Sequence, residues 1–269
     1  MRSGSEVRSR RSVSIHPTAI IHPEAELGED VSVGPYSIIA GTVKIGDGTS
    51  IGSHCVIEGN TAIGKENEIF TGAVIGSRTQ DKKYDGGTSY LMIGDGNRIR
   101  EYATVNCGTD DGSHTVVGND NLLMAYSHVA HDCVVHNHVV LANQATLAGH
   151  VIIDDRAIVG GLSAVHQFVR IGELSLIGGC SKVVQDVPPF MMADGHPVRV
   201  YGINTVGLER AGISKDERTV LKKAFKIIFK SKQTLKSAIR QLETDDLPIT
   251  PSLEVLLKFL KTSERGICR

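Results

Sequence analysis

Isoleucine, valine or leucine stands at every sixth position for most of this chain. Counting in sixes from Ile15 to Val183 visits 29 positions, and all but Asp81, Gly87 and Asp111 are aliphatic. A six-residue period fits neither an amphipathic helix nor a single alternating strand. It fits a hexapeptide repeat that builds a parallel β-helix, three hexads to a coil, with the aliphatic residue inward and small or polar residues at the corners. The expected fold is mainly β: a left-handed parallel β-helix over residues 13–189, followed by a small α-helical subdomain over residues 190–269. Handedness here is an analogy with the architecture, as is the homotrimer that such coils commonly form.

Two polar, Gly-rich stretches interrupt the repeat, around Arg78–Leu91 and Thr109–Thr115, and the count resumes in phase after each. They read as loops projecting from coil corners, where solenoids commonly bind ligands. The hexads stop at Gln185-Asp186-Val187-Pro188-Pro189, where two prolines end strand pairing. A glycine-containing connection is expected through Gly212. Ser214 with Glu217 three residues on then reads as a capping box ahead of apolar residues at helical spacing, and Leu235–Leu242 and Leu253–Leu260 repeat that spacing.

The 29 basic and 30 acidic residues nearly balance and no basic cluster interleaves with aromatics, so nucleic acid is not an expected partner. Five scattered cysteines without a CxxC motif read as free thiols of a cytoplasmic protein. Residues 1–12, basic and serine-rich with no apolar run behind them, read as a disordered extension rather than a secretory signal. No apolar stretch is long enough to span a bilayer.

Eight of the eleven histidines lie between His114 and His196. With an 18-residue coil, residues about 18 apart stack at about the 4.8 Å spacing of paired strands. His131, His150 and His166 are therefore expected in or near one column on one edge. A neutral imidazole there suits general base catalysis on a hydroxyl or amine attacking an acyl group. Asp132 follows His131 directly, and strand neighbours point to opposite sides, so their pairing is not expected. A three-histidine zinc site of the γ-type carbonic anhydrase kind is the rival from another class. His131-x4-His136 suits it, but it needs a third histidine one or two coils earlier, and the stretch Cys55–Ser113 contains none. His114, His136 and His138 read as outward or corner residues.

The strings HVAHDC (128–133), LANQATLAGHVIIDD (141–155), AVHQF (164–168) and GGCSKVVQDVPP (178–189), with Asn204 and Arg210 beyond them, resemble the UDP-N-acetylglucosamine O-acyltransferases that begin lipid A synthesis. The resemblance covers nearly the whole chain. It implies transfer of a 3-hydroxyacyl chain from acyl carrier protein to the glucosamine 3-position of UDP-N-acetylglucosamine, in a homotrimer with sites between subunits and without metal or cofactor. His131 would be the general base, and the Gly149 N–H would stabilise the oxyanion. Asp81, Lys83, His128, His150, His166 and Gln167 would line the substrate cleft, and Asn204 and Arg210 would meet the nucleotide. Gly179 matches the acyl-chain ruler, where glycine leaves room for a longer chain. Lysines and arginines near the helical subdomain would dock the acidic carrier protein. Val206 and Ala211 stand where many members carry an acidic residue and a second arginine. A 3-amino sugar acceptor remains open beside the 3-hydroxy one. The later N-acyltransferase of the same pathway resembles this chain less, because it carries an N-terminal uridine-binding domain ahead of its hexads.

Overall fold

The computed structural model describes residues 14–244 and 247–269; the extension expected over residues 1–12 lies outside them. Short strands, mostly two residues each, stack into three parallel sheets that form the sides of a left-handed prism. The first sheet has eleven strands starting at Ser14–Ile15, the second has nine starting at Ile20–Ile21, and the third has eight starting at Glu26–Leu27. The inward aliphatics stack one coil above another on the same sheet, as Ile15 pairs with Val33, Val33 with Ile51 and Ile51 with Ile69. Most of these side chains are fully buried, Ile57, Ile75, Leu123 and Ile153 among them. Each such burial stabilises the fold by about 1.5–3 kcal/mol, which explains how the core stands with few aromatics.

Polar ladders hold the corners. Asn67 Oδ1 accepts from Asn97 N, Asn97 Oδ1 from Asn121 N, and Asn121 Oδ1 from Val139 N, at 2.9, 2.9 and 2.7 Å. These buried amides satisfy backbone donors that the turns would otherwise orphan.

Both interruptions loop out of the corner between the second and third sheets, because each lies between a strand of one and the next strand of the other. Strand partners lie 18 residues apart in an ordinary coil. Across the first loop Asn60 pairs with Tyr90, and across the second Tyr90 pairs with His114. The insertions are thus twelve and six residues, both multiples of six, which is why the count never lost phase.

The end of the β-helix differs from the sequence expectation. Strand pairing continues past Pro189: Met191–Gly195 adds to the first sheet in parallel, and Val198–Ile203 folds back on it antiparallel. The helical part therefore begins later than residue 190, with α1 (Thr205–Arg210), α2 (Lys215–Phe225), α3 (Leu235–Thr244) and α4 (Pro251–Thr262). The Ser214 side chain caps α2 by accepting from Glu217 N. The Glu217 carboxylate accepts from Ser252 Oγ at 3.1 Å and so ties α2 to α4.

Candidate functional site

The corner between the second and third sheets carries most of the predicted residues. Register places His131 under Gly149 and Gly149 under Gln167; Asp132, His150 and Phe168 form the next column. His166 falls in a third column, with Ala130 and Ala148 below it. The three histidines thus share one edge but not one column, since spacings of 19 and 16 step sideways from 18.

His131 is buried, with the second loop on one side and Gly149 above. A β-carbon at 149 would overlap the ring at Cε1 and Nε2, so only glycine lets His131 lie there. The Gly149 N–H has no hydrogen-bond partner among the described residues.

The pairing judged unlikely from strand alternation is present: His131 Nδ1 lies 2.8 Å from Asp132 Oδ2. The two residues sit in a turn, not a strand, and Asp132 adopts φ +59°, which swings adjacent side chains together. The carboxylate also accepts from Thr109 N at 3.2 Å, and Asp132 N donates to Thr115 Oγ1 at 2.8 Å. Asp132 fixes the ring with its Nδ1 protonated when neutral, which leaves the Nε2 lone pair to act as base.

The first loop closes over this pair. Thr79 and Thr109 hydroxyls are 2.8 Å apart, joining the two loops, and Thr79 Oγ1 accepts from Asp81 N. Asp81 Oδ1 accepts from Lys83 N at 2.9 Å, while Oδ2 stands 3.7 Å from His131 Nε2. That backbone donor, with help from His131, holds the Asp81 carboxyl below its usual range. The Lys83 side chain is exposed. Beside Asp81 opens a groove of about 610 Å³ that reaches Glu58, Arg78 and Tyr84.

On the other side of His131, His150 meets it edge-on at 5.1 Å and stacks on Phe168 at 4.5 Å. His128 bonds Thr104 Oγ1 through Nδ1 at 2.7 Å, and burial, then His131, pushes its pKa down. A second groove of about 470 Å³ runs from His150 and Phe168 to Thr262, Glu264 and Arg265. His166 and Gln167 are exposed on the same edge.

His131, Asp132 and His150 are a cluster whose donor atoms lie within 4.8 Å, but Asp132 already serves His131 and Thr109. The zinc set suggested by His131-x4-His136 does not assemble: His136 follows the next strand and lies 4.0 Å from Asp154, beyond the His131 corner.

Three sequence assignments lie away from this edge. Gly179 sits exposed at the corner between the first and second sheets, above Gly161. Asn204 is buried, its Oδ1 accepting from Gly207 N at 3.0 Å and its Nδ2 donating to Leu174 O at 2.9 Å. Its amide caps α1 and ties it to the solenoid, leaving one N–H and one oxygen lone pair for any nucleotide contact. Arg210, in the last turn of α1, is exposed. Sequence reasoning missed Thr79, Thr109 and Phe168 and set aside Asp132; of these, Phe168 was reachable with the 18-residue ruler, since it follows His150 by one coil.

The family of bacterial transferase hexapeptide (six repeats) matches residues 24–59 and 114–149, and "Udp N-acetylglucosamine O-acyltransferase; Domain 2" matches residues 186–268. The chain is 52% identical to an acyl-[acyl-carrier-protein]–UDP-N-acetylglucosamine O-acyltransferase of Gloeothece citriformis over 170 residues, 63% of this chain and 62% of that one. It is 51% identical to the enzyme of the same name from Burkholderia thailandensis over 259 residues, 95% of this chain and 99% of that one. The crystal structure of UDP-N-acetylglucosamine O-acyltransferase from Moraxella catarrhalis superimposes with a TM-score of 0.91 at 43% identity, covering 95% and 99% of the two chains. Arabidopsis UDP-N-acetylglucosamine acyltransferase gives 0.82 at 37%, covering 95% and 100%. With its hexapeptide coils, its Asp132-oriented His131 and these relatives, the chain belongs to the UDP-N-acetylglucosamine O-acyltransferase family.

Proposed function

We propose that this protein transfers a 3-hydroxyacyl chain from acyl carrier protein to the 3-position of the glucosamine in UDP-N-acetylglucosamine. The observation that carries the reading is the buried His131–Asp132 pair with Nε2 free beside Asp81. His131 Nε2 takes the proton of the 3-hydroxyl as its oxygen attacks the thioester carbonyl. The Gly149 N–H meets the negative charge that develops on the carbonyl oxygen, and the carrier thiolate leaves with a proton returned by His131. Asp132 holds the imidazolium in place. Asp81 and Lys83 bind the sugar nucleotide, while His128, His150, His166 and Gln167 shape the cleft; no cofactor takes part.

The working unit is a homotrimer in the cytoplasm. Gly179 lies on the far edge of the second sheet from His131, and in a trimer a neighbour's Gly179 edge can face His131. Ile20, Ile38, Tyr102, Tyr126 and Leu162, all exposed, lie on this sheet or its Gly179 edge and favour burial against another copy. Arg210 meets the nucleotide end, and lysines of α2 offer the carrier protein a basic surface.

The deciding experiment offers purified protein UDP-N-acetylglucosamine or its 3-amino analogue with 3-hydroxyacyl carrier proteins of several lengths. Wild type forms the 3-acylated product, and His131→Ala loses about 10²–10⁴-fold in rate while keeping its fold. Near-wild-type activity of that variant overturns the reading.

A further inference from the structure

The last residues of the chain return to the solenoid and reach the histidine edge. Buried Asp186 anchors them: its Oδ2 accepts from Ser263 Oγ at 2.7 Å, its N donates to Gly266 O at 3.0 Å, and its carbonyl accepts from Cys268 N at 2.9 Å. Held between these bonds, Arg265 donates through Nε to Val184 O at 2.9 Å and stands with Nη2 2.9 Å from His166 Nδ1.

This contact has one chemical sense. A guanidinium only donates, so His166 Nδ1 must accept, and the proton of the neutral ring sits on Nε2. The Gln167 carbonyl, 3.2 Å from the same nitrogen, then receives no bond from it. Among the described residues Nε2 has no partner, and His166 is exposed on the edge that carries His131 and Gly149. Arg265 also forms part of the wall of the groove leading from His150 and Phe168.

We propose that Arg265 is a positioning residue for acyl transfer: through Nδ1 it fixes His166 as an Nε2–H donor to a carbonyl or hydroxyl oxygen of bound substrate. His131 and His166 thereby have opposite tautomers, one offering a lone pair at Nε2 and the other a proton. The inference rests on the acyltransferase reading for its substrate, but its tautomer part needs none.

The test combines nitrogen NMR of the imidazoles with a double-mutant cycle in the full-length protein. In wild type His166 shows the Nε2–H tautomer, and Arg265→Met gives a mixture; Ser263→Ala, which loosens the same tail without touching the guanidinium, leaves it unchanged. Arg265→Met raises KM about three- to tenfold with a smaller change in kcat, consistent with one lost hydrogen bond. In a His166→Ala background it adds nothing further. Arg265→Lys, which keeps the charge but not the two-pronged donation, falls between. An unchanged tautomer in Arg265→Met, or additive effects of the two substitutions, overturns the proposal. A failure of the acyltransferase reading shows separately, as no product from wild type with the tautomer intact.

Discussion

The His131 imidazole occupies the space where a side chain at Gly149 would begin, so closely that a β-carbon there would overlap the ring. Gly149→Ala must therefore move His131 off Asp132 or shift the coil. The expected result is a loss of about 10²-fold or more in kcat, within the range for a displaced general base, with β-sheet circular dichroism preserved. Activity close to wild type in this variant would mean that His131 does not act from its observed position.

Asp132 contributes orientation. Asp132→Ala removes the partner of Nδ1 and frees the ring to exchange tautomers, so kcat should fall about tenfold or more, less than for His131→Ala. Steady-state kinetics of the two single variants and the double variant check this. If the aspartate acts only through the histidine, the double variant is no slower than His131→Ala.

The acid side of the stability profile has a named contributor in His128. Burial first and His131 second hold its pKa below the ordinary 6.5. As acid is added the unfolded chain takes up this proton before the folded one does. The contribution is full above about pH 6.5 and is lost as pH falls through the lowered folded value. Thermal midpoints measured between pH 7.5 and 5.5 should therefore drop for wild type, and the slope should be shallower for His128→Gln.

Asn204 and Arg210 separate stability from binding. Asn204→Ala removes an N-cap and a buried bond to Leu174 O, so denaturant unfolding should show a loss of about 1–3 kcal/mol. Arg210→Ala, at an exposed position, should leave stability within about 0.5 kcal/mol and raise KM for the nucleotide sugar.

At Gly179 the backbone is not left-handed, and the nearest atom to an added β-carbon is Gly161 O at 3.2 Å. A larger residue thus fits after a small shift and projects from the corner. Gly179→Met should move donor preference toward shorter acyl chains, as read by competition among carrier proteins of different chain length. Unchanged preference would remove the ruler role from this position.

Much of this was written in the order of residues. The ladder through Ile57, Ile75 and Val105 reads directly from sequence because every inward position needs an aliphatic side chain. The shared edge of His131 and His150 follows from the same count. The Asp132 contact did not, because corner geometry depends on a φ of +59° that composition does not announce. The hairpin over Met191–Ile203 was hidden by the preceding prolines, although Val198 and Val200 are buried and Arg199 and Tyr201 exposed in strand alternation. Arg265 meets His166 across 99 residues, and no periodicity connects a tail to a coil. Nor did the motif announce that the Asn204 amide caps α1 and holds Leu174 O.

The corner column Asp132, His150 and Phe168 has φ values of 59°, 60° and 65°, a region that costs an ordinary residue about 1–2 kcal/mol. Glycine would relax each corner, less about 0.5–1 kcal/mol of chain entropy. Side chains that orient a base and build a stacked wall are thus kept where the backbone would rather have none. Along this edge durability and the proposed chemistry pull against each other: glycine at these corners would relax the backbone and remove the side chains that surround His131.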